Sequence, residues 1–361
     1  KSMTSIWQKI STNLPEVAGP SQKRLSFKEK LKWTLIILVA FFILGLVTLF
    51  GLGENALAQF EFLSLILGAE FGSIISLGIG PLVTSSIVLQ LLNGSGIVKF
   101  DLTTSEGKKN FQAVQKLLSL FFIIFEAFIY VFMGGLAPAA QYAGTSLYLQ
   151  LELLLVFQLV VGGVLIMFMD ETVSKWGFGS GISLFIAAGV SKQLFIRLLS
   201  PFSMTRVLGW PFGDEAPVGK ILELFYSLLS ANPKGAFLAL AVITSTVVVF
   251  VMAVYSQAMK VEIPLSFGRV RGHAIRWPLA FVYTSNIPVI LVAALFANIQ
   301  LWARLLQNWG YPILGTFVGS SPATGLVSWL TPPNILEGII KGSLTFGDIG
   351  VALVYLTLMI L

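Results

Sequence analysis

His273 is the one histidine among 361 residues, and cysteine is absent. A zinc site built on a histidine pair, a thiolate ligand set, a disulfide and a cysteine nucleophile are thereby excluded. A serine–histidine dyad would have to use His273, which lies in a basic loop where a solvated side chain is the commoner role. No Gly-rich loop runs into Lys-Ser or Lys-Thr, so there is no P-loop. Gly177-Phe178-Gly179-Ser180-Gly181 is Gly-rich but leads into an apolar run, and reads as a tight turn with close helix packing. These residues predict a non-enzyme that hydrolyses no ATP and needs no metal or cofactor. Any driving force would come from a partner or a gradient.

The informative ionisable groups lie inside apolar segments. Glu126 sits midway through one and Glu152 near the end of another. A carboxyl in such a place is expensive, which makes it a functional candidate by default. The blander alternative for Glu126 is a hydrogen-bonded structural carboxyl facing a neighbouring helix. Thr84 and Asn298, in two other apolar segments, are polar candidates to meet it. Contacts of this kind average about 0.6 kcal/mol, enough to bias a gate and too little to lock it.

The segments that carry these residues dominate the chain, which is 56% hydrophobic and only 11% charged. Soluble domains are about one-quarter charged. A membrane span needs roughly 20 apolar residues, and seven segments qualify: Trp33–Leu52, Ser73–Leu92, Val114–Gly134, Leu147–Met169, Ser180–Leu198, Ala236–Ala258 and Phe281–Leu301. An eighth begins near Ile349 and the sequence stops inside it, so an incomplete chain is expected. With the N-terminus in the cytoplasm, sixteen of the 23 Lys and Arg fall on the cytoplasmic side. That bias predicts the orientation.

Several features break a plain helical bundle. Phe60–Leu67 is apolar but too short to cross, so it is either a re-entrant helix or an amphipathic helix on the outer surface. The second span opens with Leu77-Gly78-Ile79-Gly80-Pro81, and the seventh carries Pro288 in Asn286-Ile287-Pro288-Val289-Ile290. Interrupted spans in corresponding positions of two halves suggest inverted repeats. The loop Met259–Pro278 is basic, with Lys260, Arg269, Arg271 and Arg276 against one acid, Glu262. It either fixes topology or docks an acidic partner such as ribosomal RNA.

Taken together, Leu77–Thr84 running on to Gln90-Leu91-Leu92, Gly179–Gly189, Val261–Leu265 with Gly268–Gly272, and Asn286–Ile290 resemble the SecY family, most closely its archaeal branch, in order along essentially the whole chain. The resemblance implies an all-α polytopic membrane protein. Its ten-span fold would form two pseudo-symmetric five-helix halves, here 1–198 and an incomplete 199–361, with seven complete spans and part of an eighth present. The implied function is a gated, passive channel in the plasma membrane that passes secretory polypeptides and releases membrane segments laterally.

The resemblance also implies residue roles. Ile79, Val83, Ile182, Ile186 and Ile290 match a constriction ring. The first four form two i, i+4 pairs, so each pair shares a helix face. β-branched aliphatics are stiff and make no hydrogen bonds, and such a ring can dewet. On residue types alone, packing or lipid contact is the better explanation of all five, and only the resemblance reverses that preference. Residues 58–70, with Phe60, Phe62, Leu63, Leu65 and Ile66, match the plug. Thr84, Glu126 and Asn298 match the lateral gate. Lys260, Arg269, Arg271 and Arg276 match a docking surface for the ribosome. Implied partners are SecE, a small beta subunit, the signal-recognition machinery, signal sequences, unfolded chains and lipid, with no DNA. Independently of the resemblance, a small-solute transporter fits broken helices and inverted repeats too, and a membrane protease is a remote third reading.

Overall fold

The computed structural model describes residues 15–21, 25–58, 61–203, 207–265, 275–280, 286–319, 321–332, 335 and 345–360. Among them the chain is mostly helical, with three two-stranded antiparallel ladders. The all-α expectation is corrected to that extent. By compactness there are two units, Lys1–Gly189 with Ile287–Leu361, and Val190–Asn286.

Three of the described helices start at side-chain caps rather than where hydropathy rises. Helix α1 (Phe27–Leu46) starts where the Ser26 side chain accepts the Glu29 N–H at 3.3 Å. The expected span Trp33–Leu52 is therefore shifted toward the N-terminus. Beyond Leu46 the chain is extended, and strand β1 (Leu52–Asn55) pairs with β2 (Leu136–Pro138). The short stretch becomes α2 (Glu61–Ile66). The expected second span, Ser73–Leu92, is helical only as α3 (Gly80–Gly94), with Pro81 in its first turn. Residues 73–79 are turns, because Gly78 takes φ +56°, a conformation that ends any helix running through it.

Helix α4 (Ser105–Phe132) begins at a Thr104 cap, before the apolar residues do. Helices α5 (Ser146–Trp176) and α6 (Gly181–Leu199) follow. In the second unit lie α7 (Lys220–Leu229) and α8 (Pro233–Ala258), the latter capped by Asn232. The first unit resumes with α9 (Asn286–Asn308), a β5 (Gly315–Val318) and β6 (Ser321–Gly325) ladder, α10 (Leu326–Trp329) and α11 (Phe346–Ile360). Of the described helices, α4, α5, α6 and α8 are long and apolar enough to cross a membrane.

The basic segment is not a plain loop. Strands β3 (Lys260–Leu265) and β4 (Ile275–Ala280) form an antiparallel hairpin in register from Lys260 with Ala280 to Leu265 with Ile275. Lys260 is exposed at its base and Arg276 lies on β4 opposite Pro264. Arg269 and Arg271 lie outside the described residues.

The core of the first unit gathers α1, α3, α4, α5, α6 and α9 around fully buried Ile75, Leu77, Ile79, Ile123, Leu159 and Phe185. Phe41 of α1 stacks on Phe185 with ring centroids 4.8 Å apart. At one end of α5, Glu171 accepts hydrogen bonds from Lys116 of α4 at 2.7 Å and from Lys175 at 2.9 Å. Lys175 and Trp176 in turn hold the backbone carbonyls of Val17 and Ala18. This ties the N-terminal segment to the α4–α5 pair.

Candidate functional site

Two adjoining features make up the site. The first is aliphatic. Ile79 occupies the cap position of α3, and its carbonyl accepts the Val83 N–H at 3.0 Å. The i, i+4 pairing expected of Ile79 and Val83 is thus present, and both side chains are fully buried. Ile182 and Ile186, on the first turns of α6, are partly buried and pack against the same apolar cluster. The side chain of Ile290 lies outside the described residues.

Helix α2 and the segment after it join this cluster. Leu63 and Leu67 are buried in it and Ile66 packs against it, whereas Leu65 is partly buried. Phe60 and the side chain of Phe62 lie outside the described residues. The Ile79 N–H donates to the Leu67 carbonyl at 2.8 Å. A side chain at Gly78 would overlap that carbonyl oxygen, and it would come within 2.8 Å of the Ala69 Cβ. A Cβ built on Gly68 would stand 3.6 Å from Phe185, so the segment also lies against α6. Its other side is tethered by the β1–β2 ladder and by the Ala56 N–H, which donates to the Gly135 carbonyl at 3.0 Å.

The second feature is a polar crossing of α3, α4 and α9. Asn298 Nδ2 donates to Thr84 Oγ1 at 2.7 Å, and Thr84 donates to the Gly80 carbonyl at 2.9 Å. Glu126 and Asn298 are fully buried. Both approach Gly80, where a Cβ would meet Asn298 Oδ1 at 3.1 Å and Glu126 Oε2 at 3.2 Å. The three expected gate residues are therefore one cluster. Asn298 Oδ1 has no donor among the described residues, and the Glu126 carboxyl has no close hydrogen bond among them beyond a loose one with the Thr84 hydroxyl, which also donates to the Gly80 carbonyl. Tyr130, one turn beyond Glu126, is also fully buried, and its hydroxyl makes no hydrogen bond among the described residues. A lone buried polar atom costs about 1–3 kcal/mol, so this crossing holds α3 against α9 without the rigidity of a saturated network. Ser85 and Ser119, 2.6 Å apart, add a complete contact between α3 and α4.

Three residues of the site were not singled out by sequence. Tyr130 could have been found from its i+4 spacing to Glu126. Leu67 carries its contact on its backbone, which side-chain chemistry does not report. Asp170 was concealed at the end of an apolar run, and its oxygen accepts the Ile182 N–H at 2.9 Å.

The SecY family profile matches residues 73–361. Protein translocase subunit SecY of Methanothermobacter thermautotrophicus is 45% identical over 332 residues, covering 91% of this chain and 69% of that protein. Among solved structures, a protein-conducting channel superposes with a TM-score of 0.78 at 40% identity, covering all of this chain and 75% of that one. Sec61 in a canine ribosome–channel complex from the endoplasmic reticulum gives 0.76 at 40% identity, with 98% and 74% covered. A SecY structure whose plug domain stabilises the closed state gives 0.75 at 39% identity, with 98% and 73% covered.

Proposed function

This chain belongs to the SecY family, and from that premise we infer how it works as the channel subunit of a protein translocase. It is a multi-pass membrane protein and a non-enzymatic subunit. The finer reading is a gated, passive channel in the plasma membrane, N-terminus in the cytoplasm, built on a ten-span plan of two halves that divide near residue 198. Ile79, Val83, Ile182, Ile186 and Ile290 form its constriction. Residues 58–70 are the plug, and Thr84, Glu126 and Asn298 are the lateral gate through which hydrophobic segments reach lipid. SecE clamps it, a small beta subunit accompanies it, and signal sequences open it.

One observation carries this reading: the stretch that is too short to cross ends on the aliphatic cluster, with the Leu67 carbonyl bonded to the Ile79 N–H. A plug must touch the constriction it seals. Side chains without hydrogen-bonding groups dewet a narrow passage and yield to a passing chain without selecting its sequence. A solute transporter would instead place ligating groups at its helix break. The break before α3 carries fully buried Ile75, Leu77 and Ile79, and the hydroxyls of its buried Ser73 and Ser76 donate to the backbone carbonyls of Glu70 and Ser73.

The β3–β4 hairpin would present Arg269 and Arg271 to ribosomal RNA, flanked by Lys260 and Arg276. The expected result is that Arg269→Glu with Arg271→Glu lowers co-sedimentation with ribosomes about tenfold or more at physiological salt. It should also reduce the slope of log affinity against log salt by about two, one per lost phosphate contact. Vesicles carrying the double variant should lose ribosome-coupled translocation in proportion. Equal pelleting and equal translocation would remove the docking role and the ribosome as the source of substrate.

A further inference from the structure

We propose that Asp170 is a positioning residue that holds Ile182 in the constriction. An isolated helix leaves its first N–H groups without partners, and a side-chain oxygen at the cap usually accepts one of them. At the start of α6 the acceptor comes from the preceding helix. Asp170, near the end of α5, accepts the Ile182 N–H at 2.9 Å and also bonds the Gly181 N–H. The carboxylate therefore grips the backbone of the very residue whose side chain enters the aliphatic cluster.

The intervening turn is built for this grip. A Cβ on Gly181 would stand 2.5 Å from the Asp170 Cα and 2.7 Å from its Oδ1, so the approach requires glycine. A second pin holds the other end of the turn. Thr34 of α1 donates to the Lys30 carbonyl at 2.8 Å and accepts the Phe178 N–H at 3.2 Å. The rings of Phe27 and Phe178 lie 5.3 Å apart, and those of Trp33 and Trp176 5.5 Å apart. With α1 fixing Phe178 and α5 fixing Ile182, the first turn of α6 has little freedom to rotate. That rotation would carry Ile182 and Ile186 off their shared face. An anion beside a helix N-terminus is also favoured by the helix dipole. On the other wall, Ile79 is held separately, through Leu67, and does not depend on Asp170.

The inference rests on the ring assignment, and the test separates the two. The sequence has no cysteine, so a single Cys at position 182 or 79 of the full chain, in its complex and in vesicles, can be labelled by a water-soluble thiol reagent. Asp170→Ala is expected to speed labelling at Ile182→Cys by about threefold to thirtyfold, the range of a lost cap, and to leave Ile79→Cys within about twofold. Asp170→Asn, which keeps an acceptor oxygen, should restore most of the slow rate. Equal acceleration at both positions, no change at position 182, or an Asn variant as fast as the Ala variant would each overturn the proposal. The ion leak of Ile182→Gly judges the ring by itself. Selective labelling without that leak would leave Asp170 as an anchor of α6 alone and overturn its role in a constriction.

Discussion

Replacing Gly78 by alanine is expected to leave the channel ion-permeable at rest. Two costs fall on one residue. Gly78 has φ +56°, and the left-handed conformation costs an ordinary L-residue about 1–2 kcal/mol. Its Cβ would also overlap the Leu67 carbonyl, forcing open the hydrogen bond from the Ile79 N–H. Leaving those buried groups unpaired costs about a further 1–3 kcal/mol. A total of about 2–5 kcal/mol against the seated segment shifts the seated-to-released ratio by roughly 30-fold or more. Gly78→Asn separates the two costs, because asparagine tolerates the left-handed conformation but still places a Cβ at the carbonyl. Resting conductance in planar bilayers is the measurement. Both variants should leak, alanine more. If both stayed as tight as the parent, the Leu67–Ile79 contact would not be what seats the segment.

The second large effect is expected from Ile182→Gly combined with Ile290→Gly. Each substitution would remove an aliphatic side chain from the proposed passage, and with it the stiffness that β-branching gives. A narrow apolar pore excludes ions because hydrating it is unfavourable, and a barrier lower by about 1.4 kcal/mol raises the leak tenfold. The double variant should therefore conduct at least about tenfold more than the parent while still inserting into the membrane and translocating. It should also pass larger cations, since the opening is wider. The two variants differ in kind: Gly78→Ala releases the plug from an intact ring, and the double glycine variant widens the ring under a seated plug. Their leaks should accordingly combine to more than either alone. Unchanged conductance in the double variant would remove Ile182 and Ile290 from the constriction.

The helices were legible because apolar composition reports burial in lipid or protein. The fifth and sixth spans, expected at Ser180–Leu198 and Ala236–Ala258, were found at Gly181–Leu199 and Pro233–Ala258. Ends were less legible where caps lie outside the apolar run, as Ser26 and Thr104 do. The stretch Ser73–Ile79 is as apolar in turns as it would be in a helix, so composition could not tell them apart. Gly78 and Pro81 were the available signal. The β3–β4 hairpin was also written in the chain. Val261, Ile263 and Leu265 alternate with Lys260, Glu262 and Pro264, the period of a strand, but net charge drew attention away from that period.

The meeting of Thr84, Glu126 and Asn298 was anticipated residue by residue. Thr84, Glu126 and Asn298 are polar atoms in apolar surroundings, and such atoms have few places to go but toward one another. Bonds made through the backbone were the part that could not be read. Neither the Leu67 carbonyl nor the Ile182 N–H has a side-chain signature, and Asp170 finds its partner twelve residues later only because a glycine turn folds α6 back onto α5.

The most direct test of the constriction is a photo-crosslinking probe at position 182 in vesicles, challenged with a secretory chain stalled midway through translocation. Position 182 is expected to crosslink strongly to the stalled chain, dependent on a functional signal sequence. A probe at the exposed position Phe250 of α8 should give none. Absence of crosslinks from position 182, or equal crosslinks from Phe250, would contradict the claim that the polypeptide passes through the aliphatic ring.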